Sequence, residues 1–185
     1  KEELLSHDKF AFGPACSEER HVFGSRRPGY RSERVSRAAV KDWLSFIKKK
    51  GIKRICCLLQ EWELLDYYED DLVEAYRKEF GDLNVLTVPV EDFHLAEISA
   101  LRDEILPFLA ESEAKNLPVL VHCSGGSGRT GHVLAAWVVY RYDLPIEEAL
   151  EAVNRNPREA VQCGNAMGEE LLSLLNACRP TNKIG

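Results

Sequence analysis

The chain has 185 residues, of which 45% are hydrophobic and 29% are charged, as is typical of one soluble globular domain with a sizeable core. Its formal net charge of −6 argues against a general nucleic-acid-binding protein and gives no support for attachment to an anionic membrane surface. No apolar run approaches the roughly 20 residues that span a bilayer, and we expect no secretory signal. We therefore expect a single domain over residues 1–185, with residues 1–20 as an irregular N-terminal extension.

The cysteines indicate a reducing compartment and no metal site. Their spacing is too irregular for a disulfide framework, and no pair has the separation of zinc ligands. The six residues are Cys16, Cys56, Cys57, Cys123, Cys163 and Cys178. We expect a cytoplasmic protein that needs no metal or other cofactor.

The first 30 residues combine turn signals with short apolar pieces. Residues 9–14 and 21–30 predict two short strands or an irregular hairpin at a sheet edge, with Pro28 and Gly29 forming a turn. The most basic local patch of the chain also lies here. It consists of Arg26, Arg27, Tyr30 and Arg31.

Strand and helix patterns then alternate along the chain. Apolar residues at helical spacing predict a helix over residues 34–50, and a second helix is predicted over residues 66–80, each ended by a glycine. Residues 52–59 and 84–90 are rich in β-forming side chains and read as strands. A long helix to about Lys115 follows a loop after the second of these strands. The alternation predicts an α/β fold with a mostly parallel, twisted sheet of about five strands and helices on both faces.

A strand, a glycine-rich loop and a helix follow one another between residues 117 and 142. The apolar run ends in His122 and Cys123, and the helical pattern begins at Arg129. Glycines in such a loop let successive backbone N–H groups surround one anion, and the positive end of the helix points the same way. The loop residues are Ser124, Gly125, Gly126, Ser127 and Gly128.

Three side chains in or beside this loop could take part in a reaction at a bound phosphate. A cysteine at the mouth of an anion cradle is favoured as the thiolate, which is the nucleophilic form. Arg129 supplies a planar fork that can hold two oxygens of a phosphate, and the hydroxyl of Thr130 can donate to the Cys123 sulfur. The simpler interpretation is a buried cysteine beside a glycine-rich turn at a helix start.

The pattern His122-Cys123-x5-Arg129-Thr130 resembles the signature of the protein-tyrosine-phosphatase superfamily, and the small loop residues and short chain are most similar to its dual-specificity branch. The resemblance implies a dual-specificity-phosphatase-like fold in which residues 124–129 bind phosphate and Cys123 attacks phosphorus. It also implies that His122 supports the loop by hydrogen bonding instead of transferring protons.

The same resemblance suggests a general acid. An aspartate at similar spacing before the nucleophile protonates the leaving group in this superfamily, which points to Asp92, with Glu91 as the alternative. Both could instead be ordinary acidic residues between a strand and a helix. Phe93 could lie over the leaving group or simply pack.

Other candidate residues have open alternatives. Arg27 or Tyr30 could line the rim of the phosphate pocket, although most basic patches of this kind are solvated turns. His132, one turn into the long apolar helix, reads as a packing or capping residue. After a helix over residues 146–154, the resemblance suggests Gln162 or Asn165 as the residue that positions the hydrolytic water, before a final helix over residues 166–178.

We therefore expect a monomeric protein phosphatase that acts on phosphotyrosine, and also on phosphoserine or phosphothreonine, through a phosphocysteine intermediate. Its partner would be a phosphorylated protein or peptide. The phosphate loop carries no lysine, which lowers the expectation for the alternative, a phosphoinositide or other small phosphomonoester. A rhodanese-like sulfurtransferase and a non-catalytic phosphopeptide-binding module remain as rivals.

Overall fold

The computed structural model describes residues 9–155, 157–165 and 167–180. Its centre is a five-stranded sheet in the order β1-β2-β5-β3-β4. The strands are β1 Gly13–Pro14, β2 Val22–Ser25, β3 Arg54–Cys57, β4 Val85–Thr87 and β5 Val119–His122. Only the edge strand β1 is antiparallel to its neighbour, so the prediction of a mostly parallel sheet is confirmed.

Helices cover both faces of the sheet. They are α1 Arg37–Lys49, α2 Glu61–Tyr67, α3 Leu72–Phe80, α4 Leu106–Ala114, α5 Gly128–Tyr142, α6 Ile146–Val153 and α7 Glu169–Ala177. Side chains that alternate along β3 and β5 point into two separate cores. Ile55 and Leu120 pack with Trp43 of α1, whereas Cys56 and Val121 pack with the apolar helix α5. Among the described residues, no helix is both long enough and apolar enough to cross a membrane.

The predicted helix over residues 66–80 is wrong, because the structure has two helices there. The first begins five residues earlier, at Glu61, and Tyr68 after it is extended and forms a bridge with Val35. The hydroxyl of Tyr68 also donates to the carbonyl of Pro28, which fixes the break. Asp71 then caps the second helix by accepting from the N–H of Glu74.

Other boundaries differ by a few residues. The predicted strands over residues 52–59 and 84–90 shorten to β3 and β4. The helical segment before Lys115 contains a π-helical stretch at Leu101–Ile105, directly before the proline in the first turn of α4. The final helix begins at Glu169, and the predicted start at residue 166 lies outside the described residues.

Residues near the N-terminus are joined to the centre of the fold. The buried carboxylate of Glu19 accepts from the indole N–H of Trp137 at 2.7 Å and from the hydroxyl of Tyr142 at 3.0 Å. It also accepts from three backbone N–H groups of its own turn. The segment that was expected to be an irregular extension therefore contributes β1 and a buried anchor from residue 13 onward.

Candidate active site

The candidate site lies at the carboxyl edge of the parallel strands. Ser25, Cys57 and His122 lie side by side at the ends of β2, β3 and β5, and Thr87 of β4 is level with Cys57. The segments that leave these strands therefore meet above one point of the sheet. Loops at this edge carry the functional residues of open α/β sheets.

Close packing explains two of the loop glycines. Gly126 has a φ of +71°, and a Cβ there would lie 2.8 Å from the carbonyl oxygen of Ser25. A Cβ on Gly128 would lie 2.9 Å from the sulfur of Cys163. Side chains at either position would push the loop away from β2 or from the segment after α6.

The loop has N–H groups available to an anion. Gly128 and Arg129 are the first two residues of α5, where the N–H groups have no partner within the helix. The carbonyl of Ser124, by contrast, is turned away from the site, because it accepts from the N–H of Arg27 at 3.0 Å. The positive end of α5 therefore faces the mouth of the loop.

Cys123 lies at the base of this cradle and is only 3% exposed. The hydroxyl of Thr130 donates to its sulfur at 3.0 Å, a contact that stabilises negative charge there. Two other thiols are close by, but burial raises the pKa of Cys57 and of Cys163 to about 12. These two groups therefore stay protonated at neutral pH and are poor nucleophiles.

His122 supports the loop as a neutral ring. Its Nδ1 lies 2.9 Å from the carbonyl oxygen of Cys123, which can only accept, so Nδ1 carries the proton. Its Nε2 consequently accepts from the hydroxyl of Tyr76 at 2.9 Å, and the ring packs edge-on against Trp43. Burial lowers the pKa of His122 to about 4, so it does not exchange protons at neutral pH.

Arg129 is oriented from behind by Glu63. Its two terminal nitrogens each donate to a different oxygen of this buried carboxylate at 2.8 Å, and Nη1 also donates to the carbonyl of Val90. Burial alone would lower the pKa of Arg129, but its hydrogen bonds to Glu63 and the charges of Cys123, Glu63 and Asp92 raise this pKa above its usual value. The guanidinium is therefore permanently charged and held in one plane.

The outer edge of this guanidinium faces the candidate acid. Nε of Arg129 is buried, and no group among the described residues accepts from it in hydrogen-bond geometry. It lies 3.4 Å from Oδ1 of Asp92, whose side chain is about half exposed. Glu91 instead lies near His94 in solvent. The structure thus brings Asp92, and not Glu91, to Arg129.

Phe93 and the segment after α6 form the far side of the site. Phe93 is 65% exposed, so it is not a core residue, and its carbonyl accepts from the N–H of Gly164 at 3.1 Å. Gln162 lies against the phosphate loop, where its Oε1 accepts from the hydroxyl of Ser127 at 2.9 Å. Asn165 is directed elsewhere, since its oxygen accepts from the N–H of Glu170 at the start of α7.

His132 links the acid loop, which is residues 88–97 with Asp92, to the phosphate loop, which is residues 124–128. Its Nδ1 donates to the carbonyl of Gly128 at 3.0 Å and its Nε2 accepts from the N–H of Ala96 at 3.0 Å. Burial lowers the pKa of His132 to about 4, so this ring too is neutral at pH 7. It is a buried packing residue, as the sequence suggested, and it also fixes the distance between the two loops.

The basic patch near the N-terminus divides into two parts. Arg27 is buried against the loop, where it donates to the hydroxyl of Ser124 at 3.0 Å and stacks on Tyr67 at 4.2 Å, so it is not a solvated turn residue. Tyr30 is 37% exposed and lies beside Gly125, with a hydroxyl 3.2 Å from the position that a Cβ would take. Tyr30 therefore forms one rim of the site.

Two charged residues of this region could not be recognised from the sequence. Glu63 looked like an ordinary acidic residue, and only the Gln60-x-x-Glu63 spacing of a capping box marked its helix start. Arg158 is also buried beneath the site, where Nη2 donates to the carbonyl of Ala11 and burial lowers its pKa to about 10. No local pattern identifies either residue, because their partners lie far away in the chain.

Folding should become less favourable as the pH falls, because His122 and His132 are buried neutral. In the unfolded chain both protonate below about pH 6.5, whereas the folded pKa values are about 4. The stability that each neutral ring contributes is therefore fully present above pH 6.5 and is lost as the pH falls from there through 4. At pH 5 the loss in the free energy of unfolding is roughly 2 kcal/mol for each histidine. Urea unfolding at pH 7.5 and pH 5.0 measures this difference. A free energy of unfolding that is equal at the two pH values would contradict the buried neutral rings.

Comparisons with known proteins identify the family of this chain. A sequence profile for "Dual specificity phosphatase, catalytic domain" matches residues 45–173. The vaccinia virus dual specificity protein phosphatase OPG106 is 30% identical over 67 residues, which cover 36% of this chain and 39% of that protein. Human dual specificity protein phosphatase 9 is 29% identical over 91 residues, 49% of this chain and 24% of that protein. The match thus spans well under half the length of either relative.

Solved structures share the fold. Tk-PTP in its active form is 25% identical, with a TM-score of 0.66 over 85% of this chain and 92% of that one. PTPMT1 in complex with PI(5)P has a TM-score of 0.69 over 94% of this chain and 99% of that one, and its 15% identity shows the fold alone. Since the family profile extends over more than half of the residues and includes the whole loop from Cys123 to Thr130, the chain belongs to the dual specificity phosphatase catalytic-domain family.

Proposed function

We propose that this chain hydrolyses phosphomonoesters of proteins, phosphotyrosine and also phosphoserine and phosphothreonine, through a phosphocysteine intermediate. The observation that carries the proposal is the arrangement around Arg129. The Arg129 guanidinium lies between the cradle that holds the Cys123 sulfur and the carboxylate of Asp92. The distance from Nε of Arg129 to Oδ1 of Asp92 is 3.4 Å. A nucleophile, an oxyanion donor and a proton donor thus share one small cleft.

The first step transfers the phosphoryl group to sulfur. The Cys123 thiolate attacks phosphorus, and the bond from phosphorus to the ester oxygen breaks as the sulfur–phosphorus bond forms. Arg129 and the loop N–H groups stabilise the equatorial oxygens, whose negative charge changes most in the transition state. Asp92 gives its proton to the departing oxygen.

The second step releases phosphate. Asp92, now a carboxylate, takes a proton from a water molecule that attacks phosphorus, and the sulfur–phosphorus bond breaks. Thr130 donates to the departing thiolate across the 3.0 Å contact that it already makes. Gln162 is the better candidate to position this water, because it contacts Ser127 of the loop while the side-chain oxygen of Asn165 accepts from the N–H of Glu170.

The walls of the cleft support a phosphoprotein substrate. Residues 124–128 add no charged side chain to the loop, and the exposed rims are the rings of Tyr30 and Phe93. Aromatic rims suit a phosphorylated side chain that enters edge-on between them. All six cysteines are free thiols, which fits a protein that acts in a reducing compartment such as the cytoplasm. We propose that it acts there as a monomer.

A phosphoinositide substrate is the second candidate. The guanidinium groups of Arg26 and Arg31 flank the Tyr30 ring at 5.1 and 5.8 Å from its centroid, so one rim offers two cations to a polyanionic headgroup. A solved neighbour was crystallised with PI(5)P. A sulfurtransferase or a non-catalytic phosphopeptide-binding module would not need Asp92 beside Arg129.

A substrate panel tests the proposed function. We expect vanadate-sensitive release of phosphate from p-nitrophenyl phosphate and from phosphotyrosine peptides, with slower release from phosphothreonine peptides. Faster turnover of soluble short-chain phosphoinositides than of every peptide would favour the second candidate. Transfer of sulfur from thiosulfate to cyanide, or phosphopeptide binding with no turnover of any phosphomonoester, would overturn the proposal.

Asp92→Asn should lower turnover most for poor leaving groups. An amide cannot donate the proton that a phenolate or alkoxide needs, so kcat/KM for phenyl phosphate, which reports the first step, should fall about 10²- to 10³-fold, and kcat/KM for p-nitrophenyl phosphate much less. The matched control is Glu91→Gln, which removes the neighbouring solvent-facing charge near His94. Steady-state kinetics on both substrates measure these changes. Equal losses of activity in the two variants would contradict the role of Asp92.

A further inference from the structure

A groove beside the acid loop is not used by the proposed reaction. Its volume is about 650 Å³, within the range of sites that hold a few side chains. Leu95, Ile98 and Leu174 supply apolar surface, while Asn165 and Ser173 supply hydrogen-bonding groups. The two ends of the wall formed by α7 are Glu169 and Ala177.

The groove shares its inner wall with the active site. The N–H of Gly164 donates to the carbonyl of Phe93, the residue after the candidate acid. A Cβ on Gly164 would lie 3.2 Å from Leu95 and 3.5 Å from a carboxylate oxygen of Glu170, so both groove residues approach this junction. The groove and the residue after the candidate acid are therefore joined at Gly164.

The charge of the groove is negative. Glu169 and Glu170 are exposed in the first turn of α7, and none of the described residues that line the groove is a lysine or an arginine. Such a lining attracts cations and repels anionic headgroups. Its apolar floor also requires a ligand with an apolar side chain.

We propose that the groove is a substrate-docking site, and that it binds a segment of the phosphoprotein in which an apolar side chain is followed by lysine or arginine. This inference rests on the proposed phosphoprotein activity and adds the sequence class of the substrate. The apolar side chain occupies the floor formed by Leu95, Ile98 and Leu174, and the cations pair with Glu169 and Glu170. Docking there places the phosphorylated residue over Cys123 and holds Phe93 in place.

Charge reversal tests the docking site. The test variant is Glu169→Lys with Glu170→Lys, and the matched control is Glu147→Lys with Glu148→Lys, which reverses two exposed carboxylates in the first turn of α6. The probes are two phosphotyrosine peptides. One carries the segment Leu-Lys-Lys and the other the segment Leu-Glu-Glu. Each peptide has its segment on both sides of the phosphotyrosine, three residues away from it. Fluorescence anisotropy with the Cys123→Ser protein measures binding, and steady-state kinetics with the active protein measures KM.

We expect the parent to bind the lysine peptide more tightly than the glutamate peptide. In the test variant, Kd and KM for the lysine peptide should rise about tenfold, and Kd and KM for the glutamate peptide should fall. The control variant should change each value less than twofold, and both charge-reversal variants should keep the parent's kcat/KM for p-nitrophenyl phosphate.

Equal affinity of the parent for both peptides, or equal losses in the two variants, would overturn the docking site. So would a dimer in sedimentation velocity that only the test variant dissociates, since a second copy would then cover the groove. Absent turnover of p-nitrophenyl phosphate would reject the proposed function instead, and the anisotropy data would still decide the docking site.

Discussion

Replacing Cys123 by serine should lower kcat/KM for p-nitrophenyl phosphate by at least about 10⁴-fold, because a serine hydroxyl stays protonated at neutral pH and is a far weaker nucleophile than a thiolate. Serine is nearly the same size and can still accept from Thr130, so the loop should keep its shape. The variant should therefore bind a phosphotyrosine peptide as tightly as the parent does. Steady-state kinetics and anisotropy measure the two properties separately.

Cys163→Ser is the matched control for this experiment. Cys163 is also a buried thiol that packs against the phosphate loop, at Gly128, but burial keeps its pKa near 12 and it makes no step in the proposed reaction. Its variant should keep kcat/KM within about threefold of the parent. If kcat/KM of the Cys123→Ser protein were within tenfold of the parent's value, Cys123 could not be the nucleophile.

Arg129→Lys should cost about 10³-fold in kcat/KM although it keeps the positive charge. An ammonium group cannot donate to both oxygens of Glu63 and also present a planar edge to the phosphate oxygens. The loss should appear chiefly in kcat, since the fork contributes most where charge develops in the transition state. Stopped assays on p-nitrophenyl phosphate, together with vanadate inhibition, measure both effects.

Two further variants separate catalysis from stability in this experiment. Arg54 is likewise buried, but its guanidinium contacts Phe108 and Ser112 at the amino end of β3, so Arg54→Lys should lower the melting temperature without changing kcat of the folded protein. Glu63→Gln should lower kcat about tenfold, because one terminal nitrogen of Arg129 then faces an amide donor. Similar kcat values for the lysine variants at positions 54 and 129 would contradict a catalytic fork.

The local features of the site could be predicted from sequence because they depend on neighbours in the chain. A strand followed by glycines and a helix start specifies an anion cradle wherever it occurs, and Cys123, Arg129 and Thr130 lie within eight positions of each other. The alternating pattern of apolar segments likewise predicted the mostly parallel sheet that the structure has.

Features that depend on distant contacts could not be predicted. Glu63 is 66 positions from the arginine that it orients, and Arg27 is 97 positions from the loop serine that it contacts. The helix break at Tyr68 depends on its bridge to Val35 and its bond to Pro28, which override the local helical pattern. Asn165 was suggested as a water-positioning residue, but its side-chain oxygen accepts from the N–H of Glu170 in the first turn of α7, one of the N–H groups that a helix start leaves without a partner.

The most direct test is to find the phosphoryl group on sulfur. Asp92→Asn protein mixed with p-nitrophenyl phosphate should accumulate the intermediate, because this leaving group departs without a proton while hydrolysis still lacks its base. After rapid denaturation and digestion, mass spectrometry should place the phosphoryl group on the peptide that contains Cys123. Turnover with no phosphorylated peptide, or with the phosphoryl group on another residue, would contradict the account.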